Sequence, residues 1–208
     1  MKRMNIVLTA CILLLAAVSA KAQEGGLKVD LYYNYSNPVG SFKNNYISNS
    51  SPRGVAGDVM YNINRQWSAG LYFGYQDYYQ KYPRSTYHTA PGEDISAVVS
   101  NSVQTAPFMA KGVFTPLGNK LSIVQPYISA AAGVNFITDK QYLGQFGTSN
   151  TAGRFIAQGG AGVQINFGRL SDAGITLGAV YNYAPYNRFG VGSLNSIDFQ
   201  AGVHFPLR

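Results

Sequence analysis

The sequence predicts an all-β fold, an eight-stranded antiparallel up-and-down transmembrane β-barrel. Three observations lead to this fold class. Apolar residues recur at every second position in eight segments, and short and long connections alternate between these segments. Only 12% of the 208 residues are charged, whereas an ordinary soluble domain carries about 25%. The mean hydropathy of −0.06 is too low for a helical bundle in lipid, and 13% aromatic residues argue against disorder.

The N-terminal segment has the pattern of a secretory signal peptide. Lys2 and Arg3 precede an apolar run over residues 6–18, and the A-x-A site at residues 20–22 follows it. We expect a signal peptide over residues 1–22 and an outer-membrane β-barrel domain over residues 23–208. A lipoprotein box ending at Cys11 is the competing interpretation, and it is disfavoured because the apolar run continues past that cysteine.

The chain that follows the predicted signal peptide excludes several classes of protein. It contains no cysteine, which excludes disulfides and thiol chemistry. Its modest basic excess includes no cluster of Lys and Arg, so we expect no nucleic-acid partner. It has no run of 18 apolar residues, so no transmembrane helix is expected.

Eight segments alternate as half-apolar strands do, because successive side chains of a strand point to opposite faces. They cover residues 27–35, 55–63, 67–75, 104–114, 128–136, 155–167, 175–183 and 197–205. The fourth is interrupted by Pro107, which predicts a β-bulge. Short turns fall near residues 62–66, 116–122 and 168–173, and long loops near 37–52, 77–95, 138–153 and 184–192. This alternation is typical of an up-and-down barrel.

The kind of residue on each face indicates which face meets lipid. The polar face is rich in Gly, Ser, Asn and Gln, whereas a water-exposed face would carry Lys and Glu. Aromatic residues gather at the strand ends and form two predicted girdles: Tyr33, Tyr35, Tyr61, Trp67, Tyr75, Phe136, Phe155, Phe167, Tyr181, Tyr183 and Phe205. Girdles that flank an aliphatic band are typical of a membrane barrel. The alternative is a soluble ligand-binding barrel, which would place the apolar face inside.

Three phrases carry a resemblance to a known family. They are residues 37–42 (NPVGSF) after the first strand, residues 125–128 (QPYI) at the start of the fifth, and the aromatic final strand. With these, the chain resembles the small outer-membrane β-barrel proteins, similar to the OmpA transmembrane domain and OmpX. The resemblance implies an architecture and no particular activity. The chain differs from the family in its last residues, since Phe205 is followed by Pro-Leu-Arg where the family ends on an aromatic residue.

A barrel of eight strands is filled by its own side chains, so an open diffusion pore is not expected. By parity, five charged side chains point inward: Lys28, Asp30, Asp58, Lys111 and Asp198. One interpretation is a paired internal network, because an unpaired buried charge costs several kcal/mol. The other is a path for protons or ions.

The sequence offers little chemistry for an enzyme. The two histidines are His88, in the second long loop, and His204, which faces inward at the short-turn end. A lipid-modifying enzyme would need His, Ser and an acid near the outer leaflet, and Ser85, Asp77 and Glu93 share the loop of His88 without a fixed geometry. We therefore expect no catalytic residues and no cofactor. No metal site is expected, because the segment after residue 22 has no His/Cys cluster.

The long loops are the expected functional surface, because Tyr among Ser, Gly and Asn is typical of binding surfaces. The candidate contact residues are Tyr78, Tyr79, Tyr82, Arg84, Tyr87 and Tyr142. The sequence thus predicts a monomer of the Gram-negative cell outer membrane, with periplasmic termini, that contacts lipid, lipopolysaccharide and an unidentified extracellular ligand. Envelope integrity, adhesion or ligand contact is the expected role. The alternative is a porin-like, narrow channel for small or apolar solutes, as in OmpW-like proteins.

Overall fold

The computed structural model describes residues 26–90, 93–117, 123–143, 146–168, 172–188 and 191–207, and the predicted signal peptide lies outside these ranges. Eight long strands form the main sheet: β1 (Leu27–Val39), β2 (Ser51–Asn62), β3 (Trp67–Lys81), β6 (Val99–Phe114), β7 (Val124–Leu143), β8 (Phe146–Asn166), β9 (Gly174–Tyr183) and β12 (Asn195–Leu207). Four short strands and one helix lie in the connections: α1 (Ser41–Asn45), β4 (Ser85–Ala90), β5 (Glu93–Ala97), β10 (Pro185–Arg188) and β11 (Val191–Ser193). No helix in these ranges is long and apolar enough to cross a membrane.

The eight long strands close into an antiparallel barrel in the order β1-β12-β9-β8-β7-β6-β3-β2, which confirms the predicted fold class. The first and last strands pair along their whole length, from Leu27 opposite Leu207 to Val39 opposite Asn195. Closure matters because a barrel pairs its backbone groups without leaving a sheet edge in lipid.

The exposure of the side chains on the outer and inner faces of the barrel confirms that the apolar face points outward. Apolar side chains point outward and are exposed, for example Leu71 at 48%, Phe73 at 46% and Phe108 at 50%. Polar side chains such as Asn34 and Gln200 point inward and are each 3% exposed. The barrel therefore has the apolar exterior and polar interior of a membrane barrel, and not those of a soluble ligand carrier.

The predicted bulge at Pro107 is wrong. The register between β3 and β6 is the same on both sides of the proline, with Phe73 opposite Phe108 and Gln76 opposite Thr105. The register between β6 and β7 is also unbroken, with Asn135 opposite Pro107. A proline removes one donor from a ladder, and here the β3 ladder skips the adjacent pairs without inserting a residue. Pro107 lies opposite Gly74, and its Cγ is 3.4 Å from the position that a Cβ at Gly74 would occupy.

The predicted long loops are largely regular structure. Three strands extend into the segments predicted as loops. β3 continues to Lys81 and β7 to Leu143, and β8 already begins at Phe146. The remaining connections hold α1 and the two hairpins β4–β5 and β10–β11. The sequence shows no contrast between apolar and polar faces there, yet backbone pairing between strands needs no apolar face. The apolar–polar alternation in the sequence therefore stops before the strands end in the structure.

Candidate functional site

A lysine and an aspartate form a buried ion pair in the middle of the lumen. Lys111 of β6 places its Nζ 2.5 Å from Asp58 Oδ2 of β2, and the two side chains are 2% and 0% exposed. Tyr32 donates its hydroxyl to the same carboxylate oxygen at 3.1 Å. The Lys111 ammonium also lies 5.2 Å and 5.4 Å from the ring centres of Tyr32 and Tyr72, within the range of cation–π attraction.

A glycine of β3 lets the Lys111 side chain reach Asp58 across that strand. Met60, Gly70 and Lys111 are in register across β2, β3 and β6. Gly70 faces the lumen, and a Cβ there would lie 1.9 Å from the carbonyl oxygen of Val59. Only glycine fits so close to the neighbouring backbone, and its missing side chain leaves Lys111 a route across β3.

A second polar cluster lies toward the short-turn end. Lys28 Nζ is 3.3 Å from Asp30 Oδ2, and Thr176 donates to the other oxygen of Asp30 at 3.1 Å. His204 contacts Thr176 through Nδ1 at 2.9 Å and Asn166 through Nε2 at 3.0 Å. Asp30 lies directly opposite both His204 and Asp58 in the strand registers, so the two polar clusters are continuous.

A third cluster surrounds Asp198 toward the long-connection end. The hydroxyls of Ser36 and Ser196 donate to Asp198 Oδ1, the latter at 2.8 Å. Asn182 Nδ2 donates a hydrogen bond to Asp198 Oδ2 at 2.6 Å, and Asn182 Oδ1 accepts one from Gln158 Nε2 at 2.9 Å. The carboxylate is thus held by three donors from β1, β9 and β12, all of them neutral.

Tyr127 fills the lumen near its short-turn half. A Cβ at Gly162 or Gly178 would lie 2.7 Å or 2.6 Å from the Tyr127 hydroxyl oxygen. The glycines of β8 and β9 therefore form a flat wall against which the ring end rests. This packing leaves little free space, as expected for a barrel of eight strands.

The first connection folds inward and covers the other end of the lumen. Phe42 of α1 is 1% exposed and Ile47, just after the helix, is 0% exposed. The Phe42 ring packs edge-on against Tyr78, with 5.1 Å between ring centres. We call the following buried group the apolar seal: Phe42, Tyr46, Ile47, Tyr78, Val103, Ile137, Ala184, Tyr186, Val191 and Leu194.

Hydrogen bonds hold the apolar seal in place. Tyr82 donates its hydroxyl to the carbonyl oxygen of Tyr46 at 2.7 Å. The Ser41 hydroxyl donates to the carbonyl oxygen of Ser193 at 3.2 Å, joining the first connection to the last. Under the seal lies a cavity of about 30 Å³, lined in part by Phe42 and Asp198, which is room for about two water molecules.

The structure separates the residues that the sequence grouped as loop contacts. Tyr79 and Tyr142 are exposed at 45% and 46%, respectively, and Arg84 is exposed. Tyr82 is half-buried through its hydrogen bond to the seal. Tyr87 lies in β4, and its side chain lies outside the described residues.

The expected surface position of Tyr78 is wrong. Its side chain is 4% exposed, because β3 runs on to Lys81 and the alternation of the strand turns residue 78 inward. There it donates to or accepts from Ser36 at 2.6 Å. Asp139, which the sequence placed in a long loop, is likewise buried at 1% and receives the Tyr186 hydroxyl at 2.9 Å. Only the parity of β7, continued from Asn135, places Asp139 inward, because the residues there show no apolar–polar contrast.

The predicted girdle residues lie near the two ends of the membrane-facing wall. Most of their side chains are exposed, from 36% at Phe205 to 70% at Phe167, and Tyr61 is half-buried. On β3, Trp67 and Tyr75 are eight residues apart, which spans about 20 Å for a tilted strand. This height suits the apolar band of an outer-membrane barrel, about 25 Å.

The described residues include no group of three His, Cys, Asp or Glu side chains suited to a metal ion. The side chain of His88 lies outside the described residues, so its relation to Ser85 and Glu93 is not part of the structure. His204 belongs to the second polar cluster at the short-turn end. It is far in sequence from the β4–β5 hairpin of His88, which lies at the opposite end of the barrel.

Comparison with known proteins decides the family. A family model described as the outer membrane protein beta-barrel domain matches residues 7–205. The chain belongs to this family. It is an integral outer-membrane β-barrel protein. No curated protein sequence matches it.

Solved structures of other outer-membrane proteins are similar in fold. Neisserial surface protein A has a TM-score of 0.51 and 16% identity, covering 88% of this chain and 97% of that one. Ail of Yersinia pestis, in complex with the heparin analogue sucrose octasulfate, has a TM-score of 0.47 and 16% identity over 88% and 97%. The N-terminal barrel domain of Pseudomonas aeruginosa OprF has a TM-score of 0.47 and 13% identity over 88% and 100%. At such identities the likeness concerns the fold alone.

Proposed function

We propose that this barrel has a structural and surface-interaction role: a packed anchor that displays a projecting β-sheet to an extracellular ligand. In this proposal residues 1–22 are a cleaved signal peptide, the termini are periplasmic and the long connections are outside the cell. The protein is a monomer surrounded by lipid and lipopolysaccharide, and it is not an enzyme. A lipid-modifying activity that disappears in His88→Ala would contradict the last point.

The observation that carries the proposal is the projecting hairpin of β7 and β8. These strands pair without interruption from Val124 opposite Ile165 to Leu143 opposite Phe146. The ladder between β8 and β9 ends at Ala157 opposite Tyr183. Beyond that pair, β10 packs close to β8, but the described residues show no strand ladder on the outer edge of β8.

The composition of this edge favours pairing with another chain. Native edge strands are protected by proline, bulges or charges, whereas residues 146–156 contain no proline, and Arg154 is their one charged residue. Thr151, Gly153 and Phe155 are exposed. Extended peptides bind such edges through main-chain hydrogen bonds, so an extended polypeptide segment is the ligand class that fits.

Proline substitutions at two successive edge residues test this surface. Successive N–H groups of a strand point to opposite sides, so of Thr151 and Ala152 one donates toward β7 and the other toward the free edge. We expect one of Thr151→Pro and Ala152→Pro to keep the thermal midpoint and to bind peptides about tenfold more weakly, the loss of roughly one hydrogen bond. The peptides are selected from a random displayed library against the barrel in detergent micelles.

The other proline variant is the matched control, and it is expected to lower the thermal midpoint because it breaks the β7–β8 ladder. Unchanged peptide binding in both variants would rule out the β8 edge as the interaction surface.

Electrical recording tests the packed anchor against the narrow channel. We expect the wild-type protein to show no steady conductance in a planar bilayer, because side chains fill the lumen and the apolar seal covers one end. A persistent conductance that scales linearly with voltage would contradict the packed anchor and favour the OmpW-like channel.

A further inference from the structure

Asp198 differs from the buried aspartates Asp30 and Asp58 in charge balance. Asp30 and Asp58 each have a lysine within 3.3 Å and 2.5 Å, respectively. Asp198 is 6% exposed, and its described partners, Ser36, Ser196 and Asn182, are all neutral. A buried carboxylate with no opposite charge is costly even when it accepts hydrogen bonds.

Two further residues that line the cavity of about 30 Å³ beside Asp198 carry amide oxygens without a described hydrogen-bond partner. Gln76 and Asn135 line it and are 5% and 3% exposed, and neither Gln76 Oε1 nor Asn135 Oδ1 accepts a hydrogen bond from a described residue. The orientation of Gln76 is fixed, because its Nε2 donates to the carbonyl oxygen of Ser51 at 3.1 Å. Buried acceptors of this kind normally have a partner.

We propose that this cavity binds a monovalent metal cation, sodium or potassium, beside Asp198. The available ligands are a carboxylate, amide oxygens and the hydroxyls of Thr105 and Ser196, which also line the cavity. An all-oxygen set suits hard cations. One carboxylate balances one positive charge, whereas a divalent ion would leave an unbalanced charge in the lumen. A water molecule would satisfy the amides and leave the carboxylate uncompensated.

The test is unfolding of the refolded full barrel in zwitterionic detergent, with sodium, potassium or choline chloride at constant ionic strength. A ligand that binds only the folded state stabilises it by mass action. At ten times its dissociation constant, sodium or potassium is expected to lower the unfolding equilibrium constant about tenfold relative to choline. The effect is expected to saturate with concentration.

Asp198→Asn is expected to abolish the difference in stability between the salts. If Asp198→Asn does not refold, Asn135→Ala is measured instead, and its salt effect is expected to saturate at a higher salt concentration. Asp77→Asn is the matched control: it removes a carboxylate that is 18% exposed and already paired with Arg53, and it is expected to keep the full salt effect. Equal stability of the wild type in all three salts would overturn the proposal. An undiminished salt effect in Asp198→Asn, or in Asn135→Ala, would also overturn it.

Discussion

Lys111→Met is expected to lower the free energy of unfolding by about 3–5 kcal/mol, because it leaves the Asp58 carboxylate without its counter-charge inside the barrel. Asp58 is 0% exposed, and its Oδ1 accepts no hydrogen bond from a described residue. Methionine keeps the unbranched shape of the lysine stem, so the packing changes little. Urea unfolding of the refolded barrel, followed by tryptophan fluorescence, measures the loss.

The double variant Lys111→Met/Asp58→Asn separates the charge effect from a packing effect. Removing both charges of a buried pair is often close to neutral, so this variant is expected to regain most of the lost stability. Lys28→Met is a matched control whose lysine is 15% exposed. It should cost less, because the Lys28–Asp30 distance is longer, 3.3 Å against 2.5 Å, and Thr176 still donates to Asp30. A loss below about 1 kcal/mol for Lys111→Met would show that the ion pair does not hold the lumen together.

Leu71→Arg is expected to cost about 2–4 kcal/mol, because it places a charge on the lipid-facing wall near the middle of the bilayer. Leu71 is 48% exposed and lies midway between the girdle residues Trp67 and Tyr75 on β3. Its neighbours across the strands are Val59 and Ala110, so no acidic partner is beside it. Unfolding in phospholipid vesicles gives the value.

Ile63→Arg supplies the matched control at the membrane interface. Ile63 is 57% exposed and lies in the turn between β2 and β3, where a charged residue costs about 0–1 kcal/mol. In a water-exposed barrel, both substitutions would be nearly neutral. Equal effects of Leu71→Arg and Ile63→Arg in lipid would therefore contradict the assignment of the apolar wall to the hydrocarbon.

The strands that cross the membrane could be predicted because lipid and lumen impose opposite demands on alternate residues. Leu71 and Phe73 face hydrocarbon while Tyr72 and Gly74 face the interior, so the two-residue alternation of a strand can be recognised in the sequence. The side of the barrel followed from the same contrast, since Gln158 and Asn182 suit an internal hydrogen-bond network better than a water-exposed face.

The parts above the membrane could not be predicted, because water on both faces removes that contrast. Tyr78 looked like a loop residue among other tyrosines, although it continues the alternation of β3. Phe42 and Ile47 are buried by contacts with the last connection, which no local pattern of the first connection reveals. The neutral surroundings of Asp198 also depend on which strands become neighbours when the sheet closes.

The bond between Ser41 and Ser193 joins residues that are 152 positions apart. We expect this contact to follow the pairing of β1 with β12, because Ser41 lies just after β1 and Ser193 just before β12. Covering the lumen is then a late step of assembly, in which the interior side chains pair while water still reaches them from that end.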